Sequence, residues 1–153
     1  MKNKGGTVLI TMGLLLMAAA LGLAVYNMQT ELHAGRSAAR VTDALARLRS
    51  EGHSAIAVIT RTQAQADSLS ARLDNVYRLD GGEADLNYES TDNVVACYHM
   101  VKGMEFDAVI VVWPEAELTD AERRRLYTAC SRALHSVTLL GGGKLIKELG
   151  IVL

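Results

Sequence analysis

The stretch Val94–Trp113, VVACYHMVKGMEFDAVIVVW, constrains the fold of this chain more than any other. Two apolar runs, VVACY and DAVIVVW, are separated by a short loop that holds His99, Lys102, Gly103 and Glu105. Apolar runs without polar alternation are the pattern of strands buried on both faces, which occur in parallel sheets covered by helices. Polar residues gathered where two such strands break are the usual way an α/β sheet presents chemistry at one edge. The alternative is a plain turn at Lys102-Gly103 with Glu105 as a solvated carboxylate.

A third run, AIAVI at Ala55–Ile59, precedes Thr60-Arg61-Thr62. Thr62 and Gln65 have the spacing of a capping box, opening a helix with Ala66, Leu69 and Leu73 on one side. A strand, a polar turn and a helix make half of a βαβ unit. Arg61 stands at the carboxyl end of that strand, where such folds place ligand contacts, and is otherwise a solvated loop arginine. Val76–Leu79 is a fourth strand candidate, and Gly81-Gly82 with the residues up to Asn93 reads as a turn and surface loop. The acids Glu83, Asp85, Glu89 and Asp92 are too scattered for a metal cage, so no metal site is expected.

Pro114 stops the DAVIVVW strand. Thr119 and Glu122 form a second capping-box pattern, predicting a helix through about His135 with Leu126, Cys130 and Ala133 as its apolar stripe and Arg132 in its last turn. Arg123, Arg124 and Arg125 in the first turn oppose the helix dipole and read as a solvated face rather than a phosphate patch. Ser136–Leu140 gives a closing strand. Gly141-Gly142-Gly143-Lys144 lacks the spacing of a phosphate-binding loop.

The amino-terminal portion is of another kind. Thr7–Tyr26 carries no charge and matches the roughly 20 apolar residues needed to span a bilayer as a helix. The small-residue run Ala18-Ala19-Ala20 lies inside the stretch rather than after it, which favours an uncleaved anchor over a signal peptide. Lys2 and Lys4 on one side and Arg36 and Arg40 on the other leave its orientation open. Val41, Leu45 and Leu48 then follow helical spacing in an amphipathic linker helix, which Gly52 stops. A formal net charge of −1 gives no global basic field for nucleic acid and leaves a local patch open. Cys97 and Cys130, both in apolar context, read as buried thiols of a reducing compartment. The expected organisation is a basic tail over 1–6, a transmembrane anchor over 7–26, a linker helix over 27–52, an α/β domain over 53–143 and a tail over 144–153.

Two resemblances attach to these residues. MKNKGGTVLITMGLLLMAAALGLAVYN with HAGRSAARV resembles the membrane-anchor leader of class B-type sortases of Gram-positive bacteria. Thr128-Ala129-Cys130 echoes the sortase TLxTC-like motif, but in a predicted helix rather than a barrel strand, and too little chain remains for the barrel. The second resemblance is more specific. AVITRTQAQADSLSARL, HMVKGMEFDAVIVV and RRRLYTACSRALHSVTLL stand in the same order, and at similar spacing, as in the carboxyl-terminal part of UvrD-like superfamily 1 DNA helicases.

That resemblance covers roughly the last two thirds of the chain and implies a RecA-like (P-loop NTPase-type) second motor domain, a parallel sheet with flanking helices. It implies that Arg132 is an arginine finger for the γ-phosphate. Lys102, Gly103, Glu105 and Arg61 would be nucleotide contacts, with Glu105 accepting from the ribose and Gly103 allowing close backbone approach. His99 would lie near single-stranded DNA. The ligand implied is ATP, with Mg2+ supplied by a domain this sequence does not show; the partners implied are single-stranded DNA and a first RecA-like motor domain, with the membrane engaged through 7–26. The family's Walker A lysine loop and acidic magnesium pair have no counterpart here, and Pro114-Glu115 is not a Walker B pair. The expectation is a lobe that binds no cofactor tightly and is inactive alone, held at a membrane on its cytoplasmic side. A membrane-tethered binding module without enzymatic role and a truncated sortase relative are the alternatives.

Overall fold

The computed structural model describes residues 4–81, 93–113 and 118–142, with Leu145, Lys147 and Leu149; in the first helix it describes the side chains of residues 10–26, 28 and 35–50. The features expected at Lys2, Gly82, Glu83, Asp85, Glu89, Asp92, Pro114, Glu115 and Gly143-Lys144 lie outside these residues. In chain order the elements are α1 (Lys4–Ser50), β1 (Ile56–Thr60), α2 (Gln63–Ser70), β2 (Val76–Leu79), β3 (Asn93–Cys97), β4 (Phe106–Val112), α3 (Asp120–Cys130) and β5 (Ala133–Leu140).

The strands form one sheet of order β2-β3-β1-β4-β5, and each pairing is parallel. The apolar runs read in the sequence are its centre. All five residues of β1 are buried, and alternate side chains feed two cores. Ile56 and Val58 face α2 and the end of α1, where Ala38, Val41, Ala44, Leu48, Ala66 and Leu69 are buried. Ala57 and Ile59 face the other layer, which holds Val101, Phe106, Trp113, Leu126 and Ala129. Helices on both faces explain why the strands carry no polar alternation.

Thr62 caps α2 with both halves of the capping box formed. Gly52 ends α1 as expected: its φ is +94°, and the His53 N–H donates to the Leu48 carbonyl at 3.1 Å, closing a left-handed helix stop that favours glycine. The basic last turn of α1 is tied to the sheet: Arg49 donates to the Ser54 carbonyl at 2.5 Å and to Asn93 Oδ1 at 2.7 Å.

Two expectations need correction. The last helix stops at Cys130, and the final strand begins at Ala133 rather than Ser136. The Phe106 N–H donates to the Arg132 carbonyl at 2.9 Å and Ala133 pairs with Phe106, so pairing with β4 overrides the helical pattern of Ala133–His135. Arg132 therefore lies in the link between α3 and β5, outside the helix. The second correction concerns the boundary expected at residue 53. The chain divides into compact units Met1–Ala34 and Gly35–Leu153, so the last turns of α1 are part of the α/β unit rather than a linker leading to it.

In the first unit, Leu14, Leu15, Leu16, Leu21 and Leu23 are each more than 60% exposed. Among the described residues no helix is long and apolar enough to cross a membrane.

Leu48 is fully buried against the sheet, whereas Arg40 on the same helix is exposed. Leu48→Ala is expected to cost about 2–4 kcal/mol in urea denaturation of the full chain followed by Trp113 fluorescence, and Arg40→Ala less than about 0.5 kcal/mol. Equal, small effects would detach α1 from the folding unit.

Candidate functional site

The expected site residues fall at two opposite edges of the sheet. The cause is the connection over residues 98–105. It leaves the carboxyl end of β3 with the Tyr98 N–H donating to the Thr60 carbonyl at 2.9 Å, and it re-enters the sheet at Phe106, the amino end of β4. Along the way Val101 is fully buried in the face that α3 covers, and Met100 and Met104 pack beside it.

At the amino edge, this loop meets Arg132. The Arg132 guanidinium donates from Nη1 to the Met104 carbonyl at 3.3 Å and from Nη2 to Ser131 Oγ at 3.2 Å. Its Nε is buried without a partner among the described residues. Lys102 and Glu105 are exposed, with no hydrogen bond or ion pair among the described residues. Gly103 sits at φ +84°, and nothing lies within 4 Å of the position a Cβ would take. Glycine is required there by the turn conformation, and the space above it is open. Lys102, Gly103, Glu105 and Arg132 thus gather along one loop and one edge.

Arg61 and His99 do not join them. Arg61 follows the carboxyl end of β1 and His99 that of β3, a strand length away from Arg132. The Cys97 thiol donates to the Arg61 carbonyl at 3.3 Å. His99 is exposed and packs edge-on with Tyr98 at 5.4 Å between ring centroids, and Tyr98 meets Trp113 at 6.3 Å.

Two acids organise the two edges: Glu122, which sequence reasoning read only as a helix cap, and Asp107, which it did not single out. Glu122 is 5% exposed, and its carboxylate accepts from Arg61 Nε at 2.8 Å, Arg61 Nη2 at 3.0 Å and Arg125 Nη1 at 2.5 Å. The expected capping box at Thr119 is only half formed: the Glu122 N–H donates to Thr119 Oγ1, but the Glu122 side chain turns to the arginines instead. Burial pushes the Glu122 carboxyl up, and the Arg61 and Arg125 guanidiniums together outweigh it, holding it below its ordinary value. A signal existed in the sequence, since Glu122 precedes Leu126 and Ala129 by 4 and 7 residues and so lies on the buried stripe. A carboxylate on such a stripe needs a cationic partner.

At the amino edge Asp107 takes the Ser54 N–H at 2.9 Å, His135 Nδ1 at 2.8 Å and His53 Nδ1 at 3.3 Å. The Ser54 N–H is the main cause of its lowered pKa, and the two imidazoles add to it. Cys130 is half-buried, and burial pushes its thiol up, the opposite of what a sortase-type nucleophile needs. Among the described residues no three His, Cys, Asp or Glu side chains gather into a group that could hold a metal ion.

Comparison with known proteins agrees with the fold. Residues 95–140, from β3 through β5, match the UvrD-like helicase C-terminal domain family. The chain is 36% identical to the C-terminal domain of a possible DNA helicase from Lactobacillus plantarum WCFS1, known from a crystal structure, with a TM-score of 0.55, over 69% of this chain and 66% of that one. It is also similar to the helicase domain of Pyrococcus furiosus Hef, at 17% identity and TM-score 0.48 over 74% of this chain and 26% of that one. A further similarity is to the C-terminal part of the Fun30 ATPase domain, at 16% identity and TM-score 0.45 over 71% and 43% of the two chains. The chain therefore spans just under two thirds of the first of these structures and less of the other two. No curated protein sequence matches it. The chain resembles a helicase C-terminal domain, and the family match does not extend to the apolar first portion.

Asp107 and Glu122 both have lowered folded-state values, so the stability they contribute is present above the unfolded carboxylate range and is lost as pH falls through the folded values. Thermal melts are expected to be flat between pH 7 and about 5 and to fall steeply below about 4. Asp107→Asn should make the acid limb shallower. An unchanged limb in that variant would remove Asp107 from the account.

Proposed function

We propose that the α/β unit is the second motor lobe of a UvrD-like DNA helicase, offering its amino edge to ATP and its carboxyl edge to single-stranded DNA. The observation that carries this reading is the state of Arg132. Its guanidinium donates to the Met104 carbonyl while Nε is buried without a partner among the described residues, and Met104 follows Gly103, whose left-handed turn opens onto free space. An orphaned buried N–H costs about 1–3 kcal/mol, and a phosphate oxygen is the acceptor that a planar, permanently charged fork suits best.

In this reading Arg132 acts as an arginine finger, stabilising negative charge that develops on the γ-phosphate oxygens during transfer. Glu105, exposed at the start of β4, accepts from the ribose hydroxyls, and Lys102 lies on the same loop as a further contact. Mg2+ and the cradle for the phosphates come from a first motor lobe, which also supplies the residue that orients the attacking water. Arg61, assigned from the sequence to the nucleotide, moves to the strand-binding edge because it follows the carboxyl end of β1, where its carbonyl accepts from the Cys97 thiol, a strand length away from Arg132. There Tyr98 and His99 offer rings for base stacking, and Arg61 and Arg125 offer charge to the backbone.

The exposed leucines of residues 10–26 favour attachment to a lipid surface through the 7–26 stretch, with the motor lobe on the cytoplasmic side. A membrane-tethered binding module without catalysis shares every one of these features except a role for Arg132.

Two variants separate the edges. Arg132→Ala is expected to weaken a fluorescent ATP analogue about tenfold and leave oligo(dT) binding unchanged; His99→Ala is expected to do the reverse, both with parental circular dichroism. The chain alone is expected to show no ATP hydrolysis above background in a coupled assay. Hydrolysis by the purified chain that disappears with Arg132→Ala would show that no first motor lobe is needed. If both variants bind the analogue like the parent, the amino edge is not a nucleotide site.

A further inference from the structure

Glu122 is the one buried carboxylate among the described residues, and the proposed function gives it no task. It joins the first turn of α3 to the residue that follows β1, through two parallel bonds from Arg61 that make a fork-to-carboxylate pair. Arg125, one turn along α3, binds the same carboxylate and lies 6.0 Å from the Tyr98 ring centroid. Glu122 therefore touches both Arg61 and Arg125. Through Arg125 it also bears on Tyr98, against which the exposed His99 ring packs. Two guanidiniums against one carboxylate leave the cluster with one net positive charge.

A long arginine side chain ordered only at the moment of binding costs about 0.5–1.5 kcal/mol of rotamer freedom. Each guanidinium has donors left over after Glu122 has taken its share. A buried acid that fixes two such side chains removes the ordering cost in advance and aims the remaining N–H groups. The same acid also subtracts charge from a surface that meets a polyanion, so charge alone predicts that it weakens binding. The two effects have opposite signs, which makes the role decidable.

We infer that Glu122 is a positioning residue: it holds Arg61 and Arg125 so that their free N–H donors, beside Tyr98 and His99, meet the phosphates of a single-stranded nucleic acid. This rests on the assignment of the single strand to the carboxyl edge. The acid acts through the arginines and touches no ligand itself.

The test is anisotropy of fluorescein-labelled oligo(dT) titrated with the full-length chain across a series of salt concentrations. Glu122→Gln is expected to weaken binding about tenfold in spite of its added positive charge. Its log–log salt slope is expected to be shallower by about 0.7 for each phosphate the arginines no longer engage. In Arg61→Ala the further change Glu122→Gln should cost less than about twofold, because the residue it works through is gone. Arg61→Lys keeps the charge and loses the fork, so it serves where Glu122→Gln does not fold; it is expected to bind as weakly as Arg61→Ala. Tighter binding by Glu122→Gln, or parental binding by Arg61→Lys, overturns the positioning role while leaving the strand assignment standing. A parent chain with no salt-dependent binding overturns the strand assignment, and the positioning role with it.

Discussion

β1 lies between β3 and β4, parallel to both, and is buried on both faces, so residues 98–105 must carry the chain from one edge of the sheet to the other in eight residues. At about 3.3 Å per residue the strands themselves take up some 16 Å of that path. The connection has no room for a helix and must lie against the sheet. Val101 supplies the apolar contact that holds it there. The position of every proposed nucleotide contact follows from this crossing, because Lys102, Gly103 and Glu105 are the residues that arrive at the amino edge. Arg132 meets them there only because its carbonyl accepts the first N–H of β4.

The same crossing divides the labour between the two edges. His99 is left behind where the loop departs, beside Tyr98 and Arg61, and the other site residues are delivered to the far side. α3 spans the interval, with Glu122 anchoring its first turn to β1 and Ser131-Arg132 following its last. In the proposed reading, one set of donors meets a nucleotide and another a strand, and α3 fixes the distance between them. Burial of Leu126 and Ala129 against the sheet sets the position of that helix.

Much of this was legible in the sequence, for identifiable reasons. Strands β1, β3 and β4 declare themselves because burial on both faces removes polar residues, and the Thr62 capping box announces α2 through local bonds alone. The start of β5 was hidden because Ala133 and Leu134 continue a helical pattern, and only pairing to Phe106, distant in sequence, decides against it. The end of α1 showed its apolar stripe but not what the stripe covers, so it read as a linker. Glu122 had a local explanation, capping, which masked a partner 61 residues away. For Arg61 the sequence gives the end of a strand but not the acid that the side chain meets there, Glu122.

The account stands most directly on what Arg132 does when a complementary lobe is present. The measurement is ATP hydrolysis by a first motor domain carrying Walker A and Walker B segments, mixed with this chain and single-stranded DNA. The account predicts DNA-stimulated turnover with the parent chain and its loss by roughly 10³-fold or more with Arg132→Ala, as expected for an arginine finger given in trans. Equal turnover with parent and variant would contradict it.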